Sequence, residues 1–428
     1  MTKQYKAPRG TTDVLPEDQP YWDRVWEASA RICGLFGYRR IETPVFEDAS
    51  LFTRGVGETT DIVEKEMYVF EDRGGQQLAL RPEGTAPVCR AYLDHGMHNL
   101  PRPVRLWYWC PIFRYDRPQA GRYRQHTQLG CEAIGEADAS VDAEVIELLF
   151  RLYEDLGLQG LTLHLNSIGD GECRPRYLEA LRGYYADKLK QVCNDCKERY
   201  QRNPLRLLDC KQERCQPVIA AAPPFTDHLC DACADHFARL RAYLEEVEIE
   251  YVVNPRLVRG LDYYTRAVFE FQPQAEGAQS TVGGGGRYDG LIEQLGGRPT
   301  PGTGFATGIE RIILNLKRQE RSTGEPALSG VEGPARPRVF VAFQTAEARS
   351  QAFRLASDLR REGIAAIVAA GERSLKAQMR HADSLGAAYA AIIGKRELED
   401  GTATLRRLAD GHQETLPLNR VLEHLTPD

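Results

Sequence analysis

The chain has 428 residues, 42% hydrophobic and 27% charged, which excludes a single small module and a disordered or fibrous polymer. At about 150 residues per domain it predicts two or three domains. Its 55 basic and 61 acidic side chains give a net charge of -6, so no global positive field advertises nucleic acid, and such a partner would be bound by local patches.

From Pro20 to Phe36, apolar residues recur at helical spacing (Trp22, Val25, Trp26, Ile32, Phe36) and Gly37 follows as a cap, which predicts an amphipathic helix. Between Met67 and Arg81, MYVFED and QQLALR flank a Gly74-Gly75 turn and read as a β-hairpin. Further strands are expected at Val104–Tyr115, Tyr123–Gly135, Leu161–Ser167 and Leu257–Phe271, and helices at Ser140–Gly157 and Phe305–Leu316. Strands in hairpin-like succession predict a mixed, mainly antiparallel sheet with helices on it. From about Glu172 to Glu248 the chain turns helix-like and rich in Lys, Arg and Cys, as an inserted module would. Lys317 to Arg338 has the Gly, Pro and Ser content of a linker, and the alternation of RVFVAF, AFRLASDLRREG, IAAIVAA and AAYAAIIG after it predicts a small α/β unit with a mainly parallel sheet. The expected division is thus 1–171 with 249–320 as one core, 172–248 as an insert, 321–337 as linker and 338–428 as the last domain.

The apolar stretch Gly363 to Gly371 is far short of the roughly 20 residues that span a bilayer, and the first 20 residues lack the apolar segment of an export signal. A cytoplasmic protein with no membrane partner is expected. In that setting 11 cysteines favour buried thiols or a metal site over disulfides. Cys193-x2-Cys196 and Cys230-x2-Cys233 read as the two halves of one tetrahedral Zn²⁺ site, with Cys210 and Cys215 as spare thiols or a changed ligand set; free thiols are the alternative.

Five segments carry candidate chemistry. In RPEGTAPVCRAY a strand ends in a turn where Glu83, Gly84 and Thr85 open a helix, the two side chains offering acceptors for an ammonium group. In WCPIFRYDRPQAGRYRQHTQLGCEAIG, Arg114 sits in a strand where a guanidinium wants a planar oxyanion, Arg117, Arg122 and Arg124 crowd the loop, and Gln128 and Glu132 share a face of the returning strand. The competing reading is a solvated hairpin with surface charges. LVRGLDYYTRAVFEF presents Arg259, Tyr263 and Tyr264, TVGGGGRYDGL presents Tyr288 after four glycines, and TPGTGFATGIERIIL feeds a glycine turn into a helix bearing Glu310 and Arg311. No P-loop spacing occurs, and GTGFATG misses the dinucleotide-binding spacing.

Together these segments resemble the histidyl-tRNA synthetases, a family of class II aminoacyl-tRNA synthetases, over nearly the whole chain. RGLDYYTRAVFEF and GGGGRYDGL are similar to the two signatures particular to that family; IETPVFE, FRYDRPQAGRYRQHTQLGCEAIG and GTGFATGIERI are similar to class II motifs 1, 2 and 3. The resemblance implies an α+β fold: a class II catalytic core, a mixed and mainly antiparallel sheet with helices, carrying an inserted helical module and a C-terminal α/β anticodon-binding domain. It implies a homodimer joined partly through motif 1. The implied reaction is ATP-dependent activation of L-histidine to histidyl-adenylate, with Mg²⁺ and release of pyrophosphate, then transfer to the 3′ end of tRNA(His).

By the same resemblance Arg114 meets the α-phosphate, Arg259 is the family's own arginine and takes the place of a second metal ion, Arg311 packs on adenine and meets the γ-phosphate, and Asp116 and His126 complete the ATP site. Glu83, Gly84, Thr85 and Gln128 hold the α-amino end of histidine, Glu132 and Tyr264 the imidazole, and Tyr263 and Tyr288 line the pocket, with Arg114 and Arg259 also facing the amino acid. Two positions depart from the family pattern: Asp116 stands where Glu is frequent, and His126, a side chain able to titrate, stands where Phe commonly stacks on adenine. Two other readings have sequence markers. A synthetase-like regulatory subunit of histidine biosynthesis would lack the last domain and the intact Arg259 signature, and a zinc-bearing RNA-binding module would leave Glu83, Gln128, Glu132 and Tyr264 without a role.

Overall fold

The computed structural model describes residues 5–16, 18–57, 60–119, 121–274, 281–323 and 338–425. From residue 324 onward the expected linker lies outside the described residues.

The core is an eight-stranded sheet in the spatial order Arg39–Arg40, Val104–Phe113, Gln125–Ile134, Gly302–Gly308, Gly283–Arg287, Thr265–Pro273, Leu161–Ser167, Tyr251–Val253. Its two outermost pairs are parallel and the others antiparallel, so the mixed, mainly antiparallel sheet is as expected. Alternate residues along each strand feed opposite faces, as a pleat requires. Trp107, Leu129, Cys131 and Phe269 pack with helices Gln19–Leu35, Ala139–Asp155 and Ile309–Thr323. Leu106, Tyr108, Ile112 and Val268 pack on the other side with helix Thr85–Asp94 and the insert. Helix Ala139–Asp155 begins where the Asp138 carboxylate accepts from the Ser140 N–H at 3.0 Å, and it is buried along most of its length. The hairpin Tyr68–Glu71 with Gln77–Leu80 forms as expected, its turn held by Asp72 accepting from the N–H groups of Gly74 and Gln76; Phe46–Asp48 adds a third strand.

Two readings of the chain are corrected here. Residues 257–264 form no strand: pairing begins only at Thr265, because Arg259, Tyr263 and Tyr264 turn toward a cavity instead of extending the sheet. Gly302–Gly308 is also strand and not helix. It is squeezed between neighbours so closely that a Cβ on Gly285 would run into the Gly304 carbonyl oxygen, and the helix starts only at Ile309.

The insert contributes helices Arg174–Tyr185, Asn194–Arg202 and Gln216–Ala220, then Asp231–Glu246, which buries Phe237, Leu240 and Leu244 in the same core as helix Ala139–Asp155. The C-terminal unit is a five-stranded sheet in the order Ala366–Val368, Val339–Phe343, Tyr389–Ile393, Thr402–Arg407, Gln413–Pro417. Its first two pairs are parallel, as the alternation of apolar strands and helices predicts, but the last two are antiparallel. The closing hairpin escaped the sequence reading because TATLRRL and QETLPL carry too few apolar residues to stand out from a loop.

Candidate active site

A cavity of about 1010 Å³, counting space open to solvent, lies over the middle of the large sheet. Its wall includes Glu83, Gly84 and Thr85 from the start of helix Thr85–Asp94, Arg114, Asp116, His126 and Gln128 from the Val104–Ile134 hairpin, Arg259, Tyr263 and Tyr264 from the loop before strand Thr265–Pro273, and Arg311 from helix Ile309–Thr323. Residues scattered over more than two hundred positions thus meet in one place. Glu132 and Tyr288 are not on the open wall. They form the layer behind it, where the buried Glu132 carboxyl accepts from Thr85 Oγ1 at 2.7 Å and from the Tyr288 hydroxyl at 2.6 Å.

Glu83 accepts from the backbone N–H groups of Thr85 and Ala86, both at 2.8 Å, anchoring it at the N-terminus of a helix; burial nonetheless raises its pKa. Glu132 is pushed up to about 8, first by burial and also by the nearby charge of Glu83, against the hydrogen bonds from Tyr288 and Thr85. It therefore keeps its proton at neutral pH in the unliganded pocket. His126 moves the other way, to about 3, through burial and then the positive charges of Arg114 and Arg311. Both causes favour the neutral imidazole over the neutral range.

The arginines are held by carbonyls more than by carboxylates. Arg114 Nε donates to the Pro82 carbonyl at 2.7 Å, and Arg311 donates from Nε to the Gly121 carbonyl at 2.8 Å and from Nη1 to that of Thr281 at 2.6 Å. Burial and then the like charges of Arg114 and Arg122 lower the Arg311 pKa, so this corner holds more positive charge than it neutralises. Arg259 is paired with Glu270. Asp116 is paired with Arg122 and also accepts from the Arg117 N–H, so its carboxylate is already engaged at the mouth. Among the described residues, four buried polar atoms facing the cavity lack partners: Gln128 Oε1, His126 Nδ1, Arg259 Nε and Glu310 Oε2. Unmet donors and acceptors around a cavity are places for a ligand.

Two wall residues were not singled out from sequence. The Tyr108 ring fills the gap between Gly84 and Gly130, where a Cβ on either glycine would collide with it. The signal was two glycines on facing segments, legible only once their proximity is known. Glu310 was seen only as a residue near a helix start; its Oε1 accepts from the Thr127 N–H at 2.7 Å, Oε2 is buried without a partner, and burial raises its pKa to about 7.

The four cysteines expected to share one metal ion do not do so. Cys193 and Cys196 lie with Cys210 and Cys215, and Cys230 and Cys233 lie with Asp170 and Cys173. Spacing alone paired the two CxxC motifs with each other; the fold pairs each with a different stretch of chain.

An antiparallel sheet whose face gathers cations beside a buried polar pocket, joined to a separate mixed-sheet domain, is the arrangement implied by the resemblance to the class II aminoacyl-tRNA synthetases. The model of the family described as histidyl-tRNA synthetase matches residues 10–312, and that of an anticodon binding domain matches residues 338–426. A histidine–tRNA ligase of Dehalococcoides mccartyi is 58% identical over 98% of each chain, and one of Pelotomaculum thermopropionicum is 50% identical over 98% of this chain and 96% of its own. The crystal structure of apo histidyl-tRNA synthetase from S. aureus superposes with a TM-score of 0.60 at 36% identity, covering 98% of this chain and 99% of that one. The chain belongs to the histidyl-tRNA synthetase family. Among the described residues no helix is long and apolar enough to cross a membrane.

Proposed function

We propose that this chain is a histidine–tRNA ligase: it activates L-histidine with ATP to histidyl-adenylate and pyrophosphate, then transfers the histidyl group to the 3′ end of tRNA(His). The observation that carries this reading is the buried Glu132 behind the cavity floor, held by Thr85 and Tyr288 and close to Tyr264, beneath a rim of three arginines.

A substrate carboxylate with a pKa near ~3.5 is ionised already, so activation needs charge and position and no general base. Arg114 faces the α-phosphate, Arg259 supplies the positive charge of a second metal ion, and Arg311 faces the adenine and γ-phosphate. The incomplete neutralisation of Arg114 and Arg311 within the protein suits them to stabilise charge on the transferring phosphoryl group, while Arg259 is paired with Glu270. His126, kept neutral, offers a flat ring to adenine without adding to the positive charge. Mg²⁺, when bound, shields the outer phosphates from one another. Glu310 fits its hard-oxygen preference, with one buried oxygen unpartnered, whereas Asp116 is committed to Arg122 and Glu270 to Arg259.

Neutral imidazole has one N–H donor and one bare acceptor nitrogen. Glu132 and Tyr264 supply the acceptor and the donor that meet them on opposite sides of the ring. Glu83, Gly84, Thr85 and Gln128 receive the α-ammonium group, with Tyr263 and Tyr288 closing the pocket. A buried polar site left unpaired by a wrong side chain discriminates by about 10⁴ or more, so no editing domain is required.

The same reading divides the chain into core (1–171 and 249–320), insert (172–248), linker (321–337) and anticodon-binding domain (338–428), in a cytoplasmic homodimer. Val45, Phe46, Val69 and Phe70, all exposed on the small sheet beside motif 1, supply an apolar surface for the second copy. The arginine-rich loop Arg117–Arg124 takes the tRNA acceptor end.

The test is exchange of labelled pyrophosphate into ATP without tRNA, followed by charging of tRNA(His). Exchange with histidine alone among the amino acids, and subsequent charging, is the expected result. Folded protein with no exchange would overturn it in favour of a regulatory, non-charging relative.

A further inference from the structure

All seven cysteines between residues 173 and 233 fall into two clusters, whereas Cys33, Cys89, Cys110 and Cys131 of the core join neither. We propose that the insert holds two separate tetrahedral Zn²⁺ ions, one on Cys193, Cys196, Cys210 and Cys215, the other on Asp170, Cys173, Cys230 and Cys233.

The geometry of each cluster is that of a single ion. In both, the donor atoms all lie within 4.8 Å of one another. Thiolates at about 2.3 Å from a tetrahedral zinc stand roughly 3.8 Å apart. Cys193 Sγ and Cys210 Sγ are 3.8 Å apart. An iron–sulfide cluster would spread its thiolates more widely. The two sites are also built alike. Each CxxC places its first cysteine as the residue before a helix, with φ -72° and ψ 168° at Cys193 and φ -74° and ψ 163° at Cys230, and its second cysteine in the first turn. Backbone N–H groups point at the sulfurs, from Cys193 to Cys215 Sγ at 3.2 Å and from Asp170 to Cys173 Sγ at 3.3 Å, a contact that suits thiolate. Gly169, at φ 58°, is required there, because a Cβ would collide with Cys173 Sγ.

The two ions would do different work. The four-cysteine site ties a loop within the insert. The mixed site clamps the chain where it enters the insert, at 170–173, to where helix Asp231–Glu246 begins. It also reaches the active site. Asp170 Oδ2 pairs with Arg266 Nη2 at 3.4 Å, Arg266 is held at φ 51° with its N–H on the Gly169 carbonyl at 2.7 Å, and Arg174 Nη2 donates to the Tyr264 carbonyl at 2.6 Å. An ion on Asp170 thus fixes the backbone that carries Tyr264, a part played by partners of metal ligands in general.

The experiment is metal analysis of full-length protein purified without chelator and without a polyhistidine tag. About two zinc ions per chain are expected, falling to about one in Cys215→Ser and to about one in Cys230→Ser. Asp170→Cys, which keeps four ligands, should retain both. Less than half a zinc per chain with the thiols freely titratable, one zinc in the wild type, or iron in place of zinc would each overturn the proposal. These counts do not depend on the chain's being a ligase, so they stand or fall apart from the reading above. In steady-state exchange, Asp170→Asn is expected to raise KM for histidine about tenfold with KM for ATP within about twofold, and Asp170→Cys to restore it. An unchanged histidine KM in Asp170→Asn protein that has lost one zinc would remove the link to the pocket.

Discussion

Two groups of arginines in the molecule, one buried and one half-buried at the cavity, differ in what meets them. Around helix Ala139–Asp155 every charge has a charged partner. Arg287 reaches Asp142 at 2.8 Å and Asp289 at 3.0 Å, Arg105 grips Glu144 at 2.8 and 3.0 Å, and Arg349 meets Asp138 at 2.6 Å. Burial would raise the Asp142 carboxyl, but Arg287 and then His236 hold it well below the usual range. In the cavity, Arg114 and Arg311 rest on backbone carbonyls and repel each other. A buried arginine matched by carboxylates holds the fold; a half-buried one left on carbonyls beside its like, on the wall of a cavity, is placed to meet an anion. Arg287 stands in one of the two family signatures, yet it belongs to the first group, and Arg311 to the second.

The sharpest test separates those two. Arg311→Gln should cut pyrophosphate exchange by about 10³-fold, because it removes a cation aimed at developing charge. Its melting temperature should hold or rise as repulsion is relieved. Arg287→Met strands the Asp142 carboxylate and should cost about 3–5 kcal/mol in denaturant unfolding. Exchange per folded molecule should stay within about threefold of wild type. If the two variants behave alike in both assays, the division between the groups is wrong.

The next effect lies between the core and the C-terminal domain. Glu147 accepts from Ser357 Oγ at 2.6 Å and from Arg360 Nη1 at 3.1 Å, all three buried. A double-mutant cycle with Glu147→Gln and Arg360→Met should return a coupling of about 1–3 kcal/mol in unfolding, since each single variant leaves the other partner buried and unmatched. Additive effects would show that the two domains meet here without coupling.

Period-two runs and glycine turns made the sheet hairpins legible from sequence, and the roles of the motif residues from Glu83 to Arg311 came from the resemblance of their segments to the motifs of the histidyl-tRNA synthetases. What the sequence withheld was partnership. Nothing near Cys193 says that it meets Cys210 and not Cys230, nor near Arg287 that Asp142 answers it, because those pairings are set by the packing of elements far apart in the chain. The strand expected over 257–264 failed for a related reason: Leu257, Val258, Tyr263 and Tyr264 make the stretch apolar and aromatic enough to look like sheet, but the side chains of Arg259, Tyr263 and Tyr264 serve a cavity.

The smallest effect concerns Glu132, where pocket and fold compete for one proton. Its pKa rises from the ordinary 4.5 to about 8 in the folded chain, so between those values the native state holds a proton that the unfolded state has lost. The stability due to the neutral carboxyl is full below pH 4.5 and is lost as pH climbs through that window to about 8. Glu132→Gln keeps the neutral shape without the titration. Its melting temperature should therefore fall less than that of the wild type between pH 5 and pH 8.5. The two curves would converge at the acid end, where the wild-type carboxyl is neutral as well. Parallel curves across the whole range would mean that Glu132 is ionised in the empty pocket and that burial does not raise its pKa.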